Sequence, residues 1–199
     1  MNIIQRAKNI LLSPNTEWDV ISSETPDTTQ IITGYVLPLS LLAAAAAFIG
    51  YSFIGFSSFG MHIGGISWGL YHAIAIVVNS ILSVFITAFV IDALAPSFAS
   101  EKNMGRSIQL VAYSMTASWV GGLFALLPAI ALIGALLSLY GLYIMYLGMA
   151  RLKRTPPDKH AGYFIVSLVV LIIVYFVIGG ILGRILMGIM GLSYGVIRM

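Results

Sequence analysis

Charged positions are so sparse along this chain that the runs between them organise it. Thr28 to Ile91 is a stretch of 64 residues without Asp, Glu, Lys or Arg; Ser107 to Ala150 is another of 44, and His160 to Gly183 a third of 24. A hydrocarbon core about 30 Å thick is crossed by about 20 helical residues, and a charge at its centre is costly. The first run therefore holds two spans and a turn. That turn falls between Phe56 and Gly69, where Gly60, Gly64, Gly65 and Gly69 stand among Ser57, Ser58, His62 and Ser67, a cluster that breaks helices. The second run divides at Leu127-Pro128-Ala129, where proline opens the second helix of a tight hairpin. The third run makes one span ended by Arg184, and the 13 residues from Ile185 to Ile197 are too short to cross again. The pattern predicts an all-α polytopic membrane protein with five transmembrane helices at about residues 34–56, 70–92, 107–127, 129–150 and 161–183, a transmembrane domain over 31–199 preceded by an amphipathic segment over 1–30.

Composition agrees. Hydrophobic residues make up 59% of the 199 and charged residues 9%, against about 25% charged in soluble domains. Soluble, disordered, collagen-like, coiled-coil and nucleic-acid-binding classes all need compositions this chain lacks. With no cysteine, disulfides, thiolate metal sites and cysteine nucleophiles are excluded.

Orientation follows from the basic residues. Five spans place Arg6, Lys8, Lys102, Arg106, Arg151, Lys153, Arg154 and Lys159 on one side, with Arg184 and Arg198 on the other. Because cytoplasmic loops carry the Lys and Arg excess, the N-terminus is expected in the cytoplasm and the C-terminus outside. Ile3, Ile4, Ala7, Ile10 and Leu11 recur at helical spacing opposite Asn2, Gln5, Arg6, Lys8 and Asn9, which predicts a helix lying on an anionic leaflet. A second short helix is expected from Ser13 as N-cap, with Pro14 at its first position. Trp18 and Ile21 would anchor it among the headgroups, with Glu17, Asp19 and Glu24 in water. Arg6, Lys8, Trp18, Arg151, Lys153 and Arg154 are thus expected membrane-surface anchors, binding lipid.

Candidate chemistry is thin. His72, Asn79, Ser83 and Thr87 share one face of span two and, with Gln109, Tyr113 and Thr116 of span three, could line a path for a small solute or ion. The bland alternative is hydrogen bonding between helices. Asp92, near the end of span two, is expected to pair with Lys102 or Arg106. His62 and His72 make a weak metal signal, and no catalytic carboxylate pair, nucleophile elbow or phosphate loop is present, so no catalytic, metal or cofactor site and no enzyme activity are expected. Gly134, Ser138 and Gly141 form a small-residue stripe on span four, and Gly179 and Gly183 a G-x-x-x-G on span five, repeated by Gly191 and Gly195. Such faces serve close helix packing, within the chain or with other membrane proteins or a second copy.

Several soft motifs resemble the Yip (Ypt-interacting protein) family of five-span membrane proteins, in particular its short bacterial inner-membrane branch. They are Asn9-Ile10-Leu11-Leu12-Ser13-Pro14 leading into Glu17-Trp18-Asp19-Val20-Ile21, Ala112-Tyr113-Ser114, Leu127-Pro128, and Tyr140-Gly141-Leu142-Tyr143-Ile144-Met145-Tyr146-Leu147-Gly148. The resemblance implies a multi-pass protein of the bacterial inner membrane, or of the Golgi or endoplasmic reticulum in a eukaryote. Eukaryotic members bind Rab-type GTPases; the Asp-Leu-Tyr-Gly-Pro motif typical of them is absent here, as is a long cytosolic domain, which weighs against GTPase binding. The expected function is a membrane-organising or partner-binding scaffold, with a transporter or channel as the alternative.

Overall fold

The computed structural model describes residues 2–58 and 61–189. Five helices are long and apolar enough to cross a bilayer: span one at Thr28–Ile54, span two at Ile66–Phe98, span three at Met104–Leu126, span four at Pro128–Leu152 and span five from Pro157, apolar through Val177. Two short helices precede them, α1 (Ile3–Leu12) and α2 (Pro14–Ser23).

Span boundaries differ from the expected ones where local chemistry outweighs apolarity. Span one starts near residue 28 rather than 34, because the Asp27 side chain accepts from the Gln30 amide and caps a first turn of polar residues. Its helix widens to π-type turns at Ile32–Val36 and Gly50–Ile54. The segment to span two is more ordered than a plain glycine loop: β1 (Phe56–Ser58) and β2 (Met61–Ile63) pair antiparallel with Ser57 opposite His62. Gly55 and Gly65 flank the hairpin with φ of 63° and 117°, conformations that side chains disfavour, whereas Gly69 lies inside span two. Span five does not end at Arg184; its helix runs on through Ile189, with Arg184 exposed.

Span three occupies the middle. Its most apolar stretch is 61% buried within the protein, against 22% for spans four and five, and it is the least apolar of the five. The two facts are linked: a helix surrounded by protein can carry Ser107, Gln109, Tyr113 and Thr116, all buried, because protein supplies polar contacts that lipid does not. The helix is interrupted at Met115, between Met104–Ser114 and Thr116–Gly122.

The largest departure concerns the N-terminus. Instead of lying on the surface, α1 and α2 wedge into the bundle. The Tyr140 hydroxyl donates to the Leu11 carbonyl at 2.9 Å, and Tyr140 stands twelve residues before the end of span four at Leu152, about 18 Å along the helix. The faces are also sorted differently from expectation. Arg6, Glu17, Ile10, Trp18 and Ile21 are buried, while Ile4, Leu12 and Val20 point away from the bundle. Irregular backbone at such depth is tolerated where protein surrounds it.

Candidate functional site

Helix α1 begins with Asn2 as its cap, its side chain accepting from the Ile4 and Gln5 amides, which sets the register that turns Arg6 inward. The Arg6 guanidinium donates to Glu17 Oε1 at 2.6 Å and to Glu24, and lies over the Tyr113 ring of span three, 5.3 Å from its centroid. Glu17 takes a further bond from Asn9 Nδ2 at 2.9 Å. A guanidinium fork suits this double duty because it is planar and always charged. The expected anchoring of Arg6 to anionic lipid is therefore corrected: its charge is spent on two carboxylates inside the protein. Lys8 is exposed.

Trp18 is fully buried rather than interfacial, its indole N–H donating 2.9 Å to the Ile144 carbonyl. It fits because residue 148 is glycine: a Cβ there would stand 2.5 Å from the indole. Ser13 precedes α2 without a side-chain cap, and the far end of α2 is closed by Arg106, which donates to the Ile21 and Ser22 carbonyls at 3.2 and 3.0 Å and to Gln109 Oε1 at 3.0 Å. Arg151 binds Asp19 at 2.6 Å and Asn15 at 3.3 Å. Between α1, α2 and span three lies a polar cavity of about 430 Å³, lined by Arg6, Glu17, Glu24, Gln30, Gln109 and Tyr113 among others.

A second polar knot joins spans two, three and four. Asp92 does not pair with Lys102 or Arg106; it accepts from Lys153 Nζ at 2.8 Å, the Asn103 amide at 2.7 Å and Ser107 Oγ at 3.1 Å. Lys153, an expected surface anchor, is fully buried. Its burial lowers its pKa from the ordinary lysine value, while the hydrogen bond and charge of Asp92 oppose that shift. Arg154 is 82% exposed and 3.4 Å from Glu101. Sequence reasoning missed this knot, because nothing in Arg151-Leu152-Lys153-Arg154 marks the third position as the one that turns inward.

The polar residues of spans two and three do not converge. His72, Asn79 and Ser83 line one cavity of about 410 Å³ with Ser80 and Trp119. Thr87 lines another and bonds the Tyr175 hydroxyl of span five. Gln109 and Tyr113 face the cavity under α1. Thr116 is closed off by the Tyr35 hydroxyl at 2.7 Å, and Trp119 Nε1 donates to Ser80 at 2.9 Å. His72 stacks on Tyr51 with centroids 3.9 Å apart and on Trp68 at 5.7 Å; among the described residues no group of three His, Asp or Glu could hold a metal.

A family model described as Yip1 domain matches residues 8–179. The chain belongs to the Yip1 family. It is similar to the protein named "Inner membrane protein YohC" from Escherichia coli strain K12, with 27% identity over 141 residues that cover 68% of this chain and 72% of that relative. The counterpart in Escherichia coli O6:H1 matches to the same extent. No solved structure matches.

In this Yip1-family chain the segments carrying the resemblance meet in space. Trp18 packs on Gly148 and bonds Ile144, Tyr140 bonds Leu11, and Tyr113 lies under Arg6. The small-residue stripe of span four is used inside the chain. Gly134 closes on the backbone of Gly121, Gly141 on the Ser114 carbonyl, and Ser138 bonds back to the Gly134 carbonyl at 3.0 Å. On span five, a Cβ at Gly183 would reach only the Tyr71 hydroxyl at 3.9 Å, and one at Gly180 would meet nothing within 4 Å. The surroundings of Gly179, and all of Gly191, Gly195 and Arg198, lie outside the described residues.

Proposed function

We propose that this Yip1-family membrane protein is a non-enzymatic organiser of the bacterial inner membrane, with its N-terminus in the cytoplasm, that binds other membrane proteins or a second copy of itself through the outward face of span five. The observation that carries this reading is the dispersal of the polar side chains. A transport path needs them in one continuous file, and here they are spread over three cavities, with Thr116 bonded to Tyr35, Ser80 to Trp119 and Thr87 to Tyr175. Span five supports the partner-binding part: its small residue Gly180 is open, and Phe176 beside it is 86% exposed.

A photo-crosslinking amino acid in place of Phe176, activated in intact membranes, tests the proposal. The expected result is a discrete protein adduct whose yield falls in the Gly180→Leu background. Adducts with lipid alone, or a protein adduct indifferent to Gly180→Leu, would overturn it.

A further inference from the structure

Span two carries one polar side chain that the fold leaves unanswered. Asn79 is the fourteenth of the 33 residues from Ile66 to Phe98, near the middle of the span, and it is exposed. It lines the cavity of about 410 Å³ together with Ser83 and Ser118, yet its carboxamide makes no hydrogen bond to either of them or to any other described residue. Hydrocarbon cannot satisfy an amide, so lipid is a costly neighbour for it.

Asn79 also belongs to a pattern. Ala75, Asn79, Leu82, Ile86 and Phe89 follow one another at spacings of four, three, four and three, the repeat by which two helices of the same direction pack along a shallow left-handed seam. None of the five is buried: Asn79, Leu82 and Phe89 are exposed, Phe89 at 65%, and Ala75 and Ile86 are half-buried. The opposite flank of the same helix, with Val84, Ala88 and Ile91, is fully buried in the bundle. Span two thus presents an unused seam with one amide in it.

Symmetry and chemistry together name the occupant. Two copies inserted with the same topology run span two in the same direction, so a two-fold axis along the membrane normal sets residue 79 opposite residue 79. A carboxamide both donates and accepts, so two of them facing each other satisfy one another reciprocally. We propose that the Ala75–Phe89 seam of span two is a self-association surface for a second copy of this chain, with the two Asn79 side chains hydrogen-bonded across the axis. Asn79 fixes the register, because any slip along the seam leaves both amides in hydrocarbon. The seam is separate from the outward face of span five, and the pairing holds whether or not that face finds a partner.

The chain has no cysteine, so a disulfide in a single-cysteine variant can only join two chains. Leu82→Cys and Phe89→Cys, oxidised with copper phenanthroline in membranes, are expected to give a covalent dimer. Leu139→Cys on span four, 60% exposed at its native leucine, is expected to stay monomeric. Association strength is read separately in phospholipid vesicles, by energy transfer between full chains labelled at Lys102→Cys. Asn79→Leu should weaken association about tenfold, and Asn79→Gln, which keeps the carboxamide, should weaken it less. Absence of the dimer for both Leu82→Cys and Phe89→Cys overturns the proposal, as does equal crosslinking of Leu139→Cys. Crosslinking confined to Phe176→Cys on span five, or association unchanged by Asn79→Leu, overturns it as well.

Discussion

The two ends of this bundle are held by different forces. At the end bearing the N-terminus and the loops before spans three and five, directional polar contacts tie the elements together: Arg6 with Glu17 and Glu24, Arg151 with Asp19, Lys153 with Asp92, Arg106 with the end of α2. All seven acids of the chain belong to segments of this end. At the opposite end the contacts are close backbone approaches and ring stacking, such as Gly121 with Gly134 and His72 between Tyr51 and Trp68. The contrast shows where lipid forces economy. A charge can be kept near the aqueous boundary if it is paired, whereas within the apolar spans helices gain most from small residues that let backbones meet.

The sharpest way to break the contrast is at the buried pair. Lys153→Met leaves Asp92 buried without its partner and should cost about 3–5 kcal/mol, read as a fall in the thermal midpoint in detergent. Adding Asp92→Leu should restore most of that loss, because a buried pair replaced as a whole is often neutral. Next comes the wedge. Trp18→Ala removes a fully buried indole and should cost about 3 kcal/mol, and protease sites introduced in α1 should become accessible while the five spans stay protected. At the other end, Gly134→Val forces apart the contact with Gly121 and should cost about 1–3 kcal/mol, whereas Gly180→Val meets open space and should leave the midpoint unchanged. The smallest effect belongs to Arg154→Ala, neighbour of Lys153 in sequence but exposed to water, worth under about 0.5 kcal/mol in the same melting assay.

That last pair of neighbours also explains what could be read in the sequence. The five spans were legible, because uncharged run length and a single proline or glycine cluster report directly on a bilayer's thickness. The inward turn of Arg6, Glu17 and Lys153 was not. Helical periodicity sorts residues by polarity, and here the polar face of α1 is the one that meets protein, since its partners Glu17, Glu24 and Tyr113 lie on other elements. For the candidate path, spacing put His72, Asn79, Ser83 and Thr87 on one helix face, but a face some 15 residues long crosses several neighbours: the first three line one cavity with span three, while Thr87 bonds Tyr175 of span five and lines another. The glycine stripe of span four was readable as packing, though only the fold shows that Gly148 exists to admit Trp18.

Thiol access decides whether the polar residues of this membrane protein form separate sites or one passage. Asn79→Cys, Ser83→Cys and Thr87→Cys, each the sole cysteine in the chain, would be exposed to a membrane-impermeant maleimide from each side in turn. No position is expected to react from both sides, and Thr87→Cys, buried beside Tyr175, is expected to react from neither. Labelling of Ser83→Cys or Thr87→Cys from both sides would contradict the separate-sites reading and establish a continuous aqueous path.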